Sequence, residues 1–224
     1  MDIYNSFINT LDTDIIELLS IRQKYKLNSK NFKVYELGGY SKDDIFIFNF
    51  DKKIELYESN NQNLCYKYVY IKSFNENNQI CESFYDKCHN LNLNRFIKQF
   101  YITFLYDLCE FGEDSNSDEV CDLDVNILLK ITQRINFNYE IIKYKYISNQ
   151  LFYKVIFKKS STSEVIYYLS EFIKQPTYLE IIHNIASTNN IQPILIQSLY
   201  KFYILPLSIE IQYYFLNNFL NKTL

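Results

Sequence analysis

Apolar residues at Ile3, Phe7, Ile8, Leu11, Ile15, Leu18 and Leu19 recur at helical spacing and predict a first helix over 3–22. Asp12, Asp14 and Glu17 fall largely off that stripe. Four strand-like runs follow, at 32–37, 45–50, 54–57 and 65–71. They alternate apolar with polar positions and are rich in aromatic and β-branched residues, which predicts an antiparallel meander. Gly38-Gly39 lies between the first two as a turn. A second helix is predicted over about 92–110, apolar almost all round in its second half and therefore central to the core.

Residues 110–124 are acidic, with Glu110, Glu113, Asp114, Asp118, Glu119, Asp122 and Asp124 around Gly112 and Ser115-Asn116-Ser117. This composition reads as a solvated loop and marks a boundary between a domain at 1–118 and another at 119–224. A helix over about 123–134 opens the second domain. Two strands, 139–147 and 151–157, join at Ser148-Asn149-Gln150. Ser161 with Glu164, and Thr177 with Glu180, make two capping boxes on either side of Pro176, each launching a helix. Pro193 suits the first turn of a third helix, and Leu205-Pro206 reads as its stop. A last amphipathic helix covers about 208–220. The fold class that emerges is α+β: a mixed N-terminal half with an antiparallel meander and helices, then a C-terminal winged-helix-like module.

Composition narrows the chemistry. The chain has 224 residues, 48% hydrophobic and 22% charged, which suits a folded protein with a substantial core. It carries 22 Tyr and 18 Phe but only 3 Gly. Abundant Asn, Ile, Lys and Tyr point to AT-rich codons rather than to a special role for tyrosine. Phosphate-cradling loops need glycine. With no GxGxxG, GxxxxGK[ST] or GxSxG, a dinucleotide-binding unit, a P-loop and an α/β-hydrolase are disfavoured.

The start of the chain shows no targeting segment, and the apolar runs are broken well short of the ~18 residues of a membrane span. Five cysteines without a signal peptide read as free thiols in the cytoplasm. Cys81, Cys88 and His89 have the wrong spacing for zinc, and the acidic loop lacks the order of a calcium loop, so no metal and no cofactor is expected. His183 reads as a helix-boundary residue, and Asp43-Asp44 as turn chemistry. No catalytic residue stands out.

The stretch 137–205 resembles the winged-helix-like peptide-recognition domains that accompany enzymes modifying ribosomally made peptides. The resemblance rests on element order, element lengths and the two capping boxes. It implies that a peptide adds as a strand beside the sheet. The expected peptide-binding residues are Leu151, Tyr153, Val155 and Phe157 on the edge strand, with Leu195, Leu199 and Phe202 on the third helix.

Sequence alone therefore favours a non-enzymatic subunit that captures a peptide or protein partner. Two alternatives stand beside it. Residues 138–224 hold eight basic against five acidic residues, interleaved with tyrosines, which would suit an accessory factor binding nucleic acid. A small hydrolase or nuclease would have to use His89 or His183. No membrane partner is expected.

Overall fold

The computed structural model describes residues 2–29, 93–171 and 176–223. Among these residues every regular element is a helix: α1 (Asp2–Arg22), α2 (Asn94–Leu108), α3 (Ser117–Ser148), α4 (Gln150–Lys159), α5 (Thr162–Glu171), α6 (Pro176–Thr188), α7 (Pro193–Leu199), a π-helical turn (Tyr200–Ile204) and α8 (Leu205–Thr223). The α+β expectation is overturned for the described chain. The four N-terminal strand-like runs, the glycine pair, Cys81, Cys88 and His89 lie outside the described residues.

The error over 139–157 has a physical cause. Ile135, Ile142 and Tyr146 are buried at intervals of seven and four, a helical period that the alternation of 139–147 masked. Tyr, Ile and Phe favour strands only as a fit to a pleated half-buried surface, and helix packing overrides that preference here. Helix α3 therefore runs on for 32 residues. The polar Ser148-Asn149-Gln150 is not a hairpin but a helix break, with Asn149 at φ −150°, ψ 59°. The edge strand that was to receive a peptide is α4.

Local stop and start signals fare better. The Ser161 box is present: the Ser161 N–H donates to Glu164 Oε2 at 2.6 Å, and the Glu164 N–H reaches back to Ser161 Oγ at 3.4 Å. The Ser161 N–H, with the Ser161 hydroxyl that also donates to Glu164 Oε2, holds the Glu164 carboxyl below its ordinary range. Pro193 opens α7. Helix α6 ends on a Schellman motif, in which the Ile191 N–H bonds Ala186 O and the Asn190 N–H bonds Ser187 O. Asn190 takes the left-handed position at φ 55°, a place glycine usually fills.

Leu205-Pro206 does not stop the chain. Proline lacks the N–H an α-helix needs, and the chain absorbs this by widening to a π turn just before it, with the Leu205 N–H bonded to Tyr200 O. Helix α8 continues to Thr223. The combined stretch Pro193–Leu220 is long and apolar enough to cross a membrane by length and composition only, a test that core helices also pass.

The chain divides into two compact units, one of Asp14–Thr132 and one of Met1–Thr13 with Gln133–Leu224. The first unit buries Ile15, Ile16, Leu19, Ile97, Leu105, Ile127 and Leu128, and with them an arginine. Arg22 Nε donates to Asp124 Oδ1 at 2.6 Å, Nη1 to Lys26 O at 2.9 Å and Nη2 to Leu27 O at 3.1 Å. Tyr101 also donates to Asp124 Oδ1, at 2.6 Å. Burial pushes the Asp124 carboxyl up, against the pull of Arg22 and Tyr101.

The acidic segment is not simply solvated. Its Asp114 carboxylate accepts from the Lys26 N–H and from Asn28 Nδ2, both at 2.8 Å, and Glu113 accepts from the Ser29 hydroxyl. Gly112, at φ 139°, lies so close to Lys26 that a Cβ would stand 2.7 Å from Lys26 Cδ. Only glycine fits there.

In the second unit α8 is the common surface, packing against α4, α5 and the π turn. It also runs beside the later part of α3, and in the same direction. Asn138 meets Gln212, Tyr139 meets Phe215 edge-on at 4.8 Å between ring centroids, and Tyr146 meets Phe219 at 5.0 Å.

Candidate functional site

Among the polar side chains that α3 buries wholly or in part are Arg134, Asn138 and Lys145. At 3.6 residues per turn, Asn138 lies about 40° and Lys145 about 20° from Arg134 around the helix axis, so the three share one face. Arg134 and Asn138 are buried and Lys145 is half-buried. Polar groups in such places need partners, because burial strips their water.

Arg134 has two kinds of partner. Its Nε donates to Asp12 Oδ1 at 2.8 Å and its Nη2 to the Tyr178 hydroxyl at 2.8 Å. The Tyr178 hydroxyl in turn donates to Asp12 Oδ2, closing a triangle. The Arg134 and Asp12 side chains are only 4% and 1% exposed. Burial works against the Arg134 charge, but the Asp12 carboxylate outweighs it and raises the guanidinium above its ordinary range. Arg134 Nη1 is also buried, yet it meets no acceptor among the described residues.

This separates Arg134 from Arg22. Every nitrogen of Arg22 has a protein acceptor, and Nη1 also reaches the Cys109 sulfur at 3.3 Å. That arginine fastens a core. Arg134 keeps one N–H group in reserve.

Helix α8 supplies the facing wall. Gln212 Nε2 donates to Asn138 Oδ1 at 2.8 Å. Asn138 is itself fixed, its Nδ2 donating to the carbonyls of Arg134 and Ile135. Gln212 Oε1 is buried with no partner among the described residues. One turn back on each helix stand Arg134 and Ser208, the latter fully buried with its hydroxyl on Ile204 O at 2.7 Å. Further along α3, burial lowers the Lys145 ammonium to about 8. Along this face the fold leaves a guanidinium N–H and an amide carbonyl unused, with a cation that deprotonates unusually easily farther on. The two cations suit a small anion, and the amide carbonyl suits a hydroxyl on it.

Several solved structures share this arrangement of helices. A chorismate mutase from Candida albicans, crystallised with L-Trp, superposes with a TM-score of 0.71 over 95% of this chain and 88% of that one, at 18% identity. The chloroplast chorismate mutase of Zea mays gives 0.72 over 98% and 95%, at 19% identity. AtCM1 with tyrosine bound in its allosteric site gives 0.66 over 96% and 93%, at 19% identity.

The fold is that of the chorismate mutases.

At such identity the likeness establishes architecture alone. No protein-family model matches the sequence, and no curated protein matches it. The chorismate mutase fold nevertheless corrects the winged-helix resemblance. The order of elements in 137–205 came from helices misread as strands, and the case for a non-enzymatic peptide-capturing or nucleic-acid-binding module goes with it. The solved proteins of this fold are named as chorismate mutases, not as hydrolases or nucleases.

The residues expected to bind a peptide do not form a strand edge. Leu151, Tyr153, Val155 and Phe157 lie on α4, with Leu151 and Val155 exposed and the other two half-buried. Leu195 and Leu199 lie on α7, half-buried and buried, and Phe202 is exposed on the π turn. His183 is half-buried on α6. Sequence reading did not single out Asp12, Arg134, Asn138, Tyr178, Ser208 or Gln212 as site candidates, and took Lys145 as a basic position on a strand. Their available signal was polar residues at intervals of four and eleven inside helical apolar stripes. It vanishes once 139–147 is taken as a strand.

Proposed function

We propose that this chain is a chorismate mutase, binding chorismate in the second unit against α3 and α8. Chorismate is a small dicarboxylate carrying an enol-ether oxygen. Its rearrangement breaks one C–O bond and forms one C–C bond within the same molecule, with no water or proton exchanged. Such a reaction asks the protein for shape and fixed dipoles rather than for a nucleophile. The absence of any nucleophile–base motif in the sequence agrees with that demand.

The observation that carries the reading is the unused Nη1 of Arg134, in a fold whose solved examples are chorismate mutases. A buried donor without a partner costs about 1–3 kcal/mol. A ligand carboxylate supplies the acceptor, and an arginine already held on two sides loses little freedom in binding it. The Lys145 ammonium supplies a donor for the second carboxylate or for the ether oxygen, on which negative charge grows as the C–O bond breaks, and Gln212 Oε1 accepts from the chorismate hydroxyl.

The test is turnover of chorismate by the purified chain, with loss of substrate and appearance of its isomer followed chromatographically. Lys145→Met should lower kcat/KM at least about 100-fold, the scale expected on losing a donor to developing charge. A wild-type chain that folds but neither binds nor isomerises chorismate refutes the assignment.

A further inference from the structure

We infer that Tyr178 is a positioning residue: with Asp12 it locks the Arg134 guanidinium so that Nη1 faces the ligand. The inference rests on the proposed chorismate site and adds a residue to it. Tyr178 sits near the start of α6, far from Arg134 in sequence, and its hydroxyl touches both members of the buried ion pair. An ion pair alone leaves a guanidinium two ways to meet a carboxylate, through Nε with one Nη or through both Nη groups. The tyrosine removes the choice. It accepts from Nη2 while donating to the second Asp12 oxygen, so Nε takes the first oxygen and Nη1 is left over.

The ring adds a second restraint, since Arg134 Cζ lies 5.9 Å from the Tyr178 ring centroid. Burial and the neighbouring Asp12 keep the phenol protonated well above its ordinary range, against the opposing pull of Arg134. The donor to Asp12 therefore persists across the working pH range.

Tyr178→Phe keeps the ring and deletes only the hydroxyl. A carboxylate is present in substrate and transition state alike, so loosening its arginine removes uniform binding. The full-length chain should show KM for chorismate raised about tenfold, with kcat within about twofold. A readout independent of turnover is nitrogen NMR of the Arg134 side chain, assigned with Arg134→Lys. Wild type should give separate Nη1 and Nη2 resonances, because the triangle prevents rotation about Nε–Cζ. In Tyr178→Phe they should merge. Separate resonances in the variant overturn the inference, as does an unchanged KM in an active enzyme. If wild type proves inactive on chorismate, the functional assignment fails, and the NMR comparison still decides whether Tyr178 fixes the arginine.

Discussion

The Gln212 side chain gives its amide hydrogen to Asn138 Oδ1, 2.8 Å away on a neighbouring helix, and so fixes which way its own carbonyl points. Asn138 cannot turn to refuse that hydrogen, because its Nδ2 is held by the carbonyls of Arg134 and Ile135. The orientation of the glutamine is thus set by backbone one helix away. A pair of neutral residues organises the wall facing Arg134 without adding a charge.

If that pair acts as a unit, Gln212→Ala should lower kcat/KM on chorismate about tenfold, the scale of one lost hydrogen bond to an oriented acceptor. Asn138→Leu should cost nearly as much, and the double variant little more than either alone. Steady-state kinetics of the three variants measure this. Additive losses would show that Asn138 does not orient Gln212.

Lys145 should make substrate capture fall in mild alkali. Burial lowers its ammonium to about 8, so above that pH the free protein presents a neutral amine to an anionic substrate. The expected kcat/KM profile declines with an apparent pKa near 8. Lys145→Arg should remove that decline, since a guanidinium stays charged. Stability should move the other way. The folded pKa lies below the unfolded value, so between about pH 8 and 10 the unfolded chain binds more protons and folding gains as pH rises. Urea titrations across that interval, on wild type and Lys145→Met, isolate the contribution.

Arg22 and Asp124 should be structural. Both side chains are fully buried, and removing one leaves the other charged and without its ion-pair partner. Asp124→Ala should cost about 3–5 kcal/mol, the scale for breaking a buried ion pair. Denaturant melts report that loss. Any variant folded enough to assay should keep its KM for chorismate. A changed KM with unchanged stability would contradict the assignment.

Asn190 should tolerate glycine and resist alanine. Its left-handed φ of 55° closes α6 at an exposed position. Asn190→Ala should destabilise by about 1 kcal/mol, the cost of placing a Cβ in that conformation. Asn190→Gly should be neutral or slightly stabilising. Thermal melts of both variants distinguish a backbone requirement from a side-chain one.

Much of the helical framework could be read locally. The apolar stripe of α1, the core helix α2, the Ser161 cap and Pro193 at the head of α7 all depend on residues within a turn or two of each other. Such signals survive in any tertiary context. The length of α3 could not be read that way. Its strand-prone tyrosines and isoleucines become helical because Tyr139 and Tyr146 have Phe215 and Phe219 to pack against. Those partners lie more than seventy residues on, and no local pattern announces them.

The sequence by itself determined a folded chain, rich in aromatic side chains and too poor in glycine for a phosphate-binding loop. Tertiary structure alone decided which polar residues matter. Asp12 looked like a surface acid, Arg134 the last residue of a short helix, and Lys145 one of several basic positions on a strand. The physical reason is that a site of this kind is defined by what is left unsatisfied after packing. Arg22 and Arg134 are alike as residues. The fold occupies every nitrogen of the first and leaves Nη1 of the second without an acceptor among the described residues. That difference exists only when Asp12, Arg134 and Tyr178, from three distant helices, are brought together.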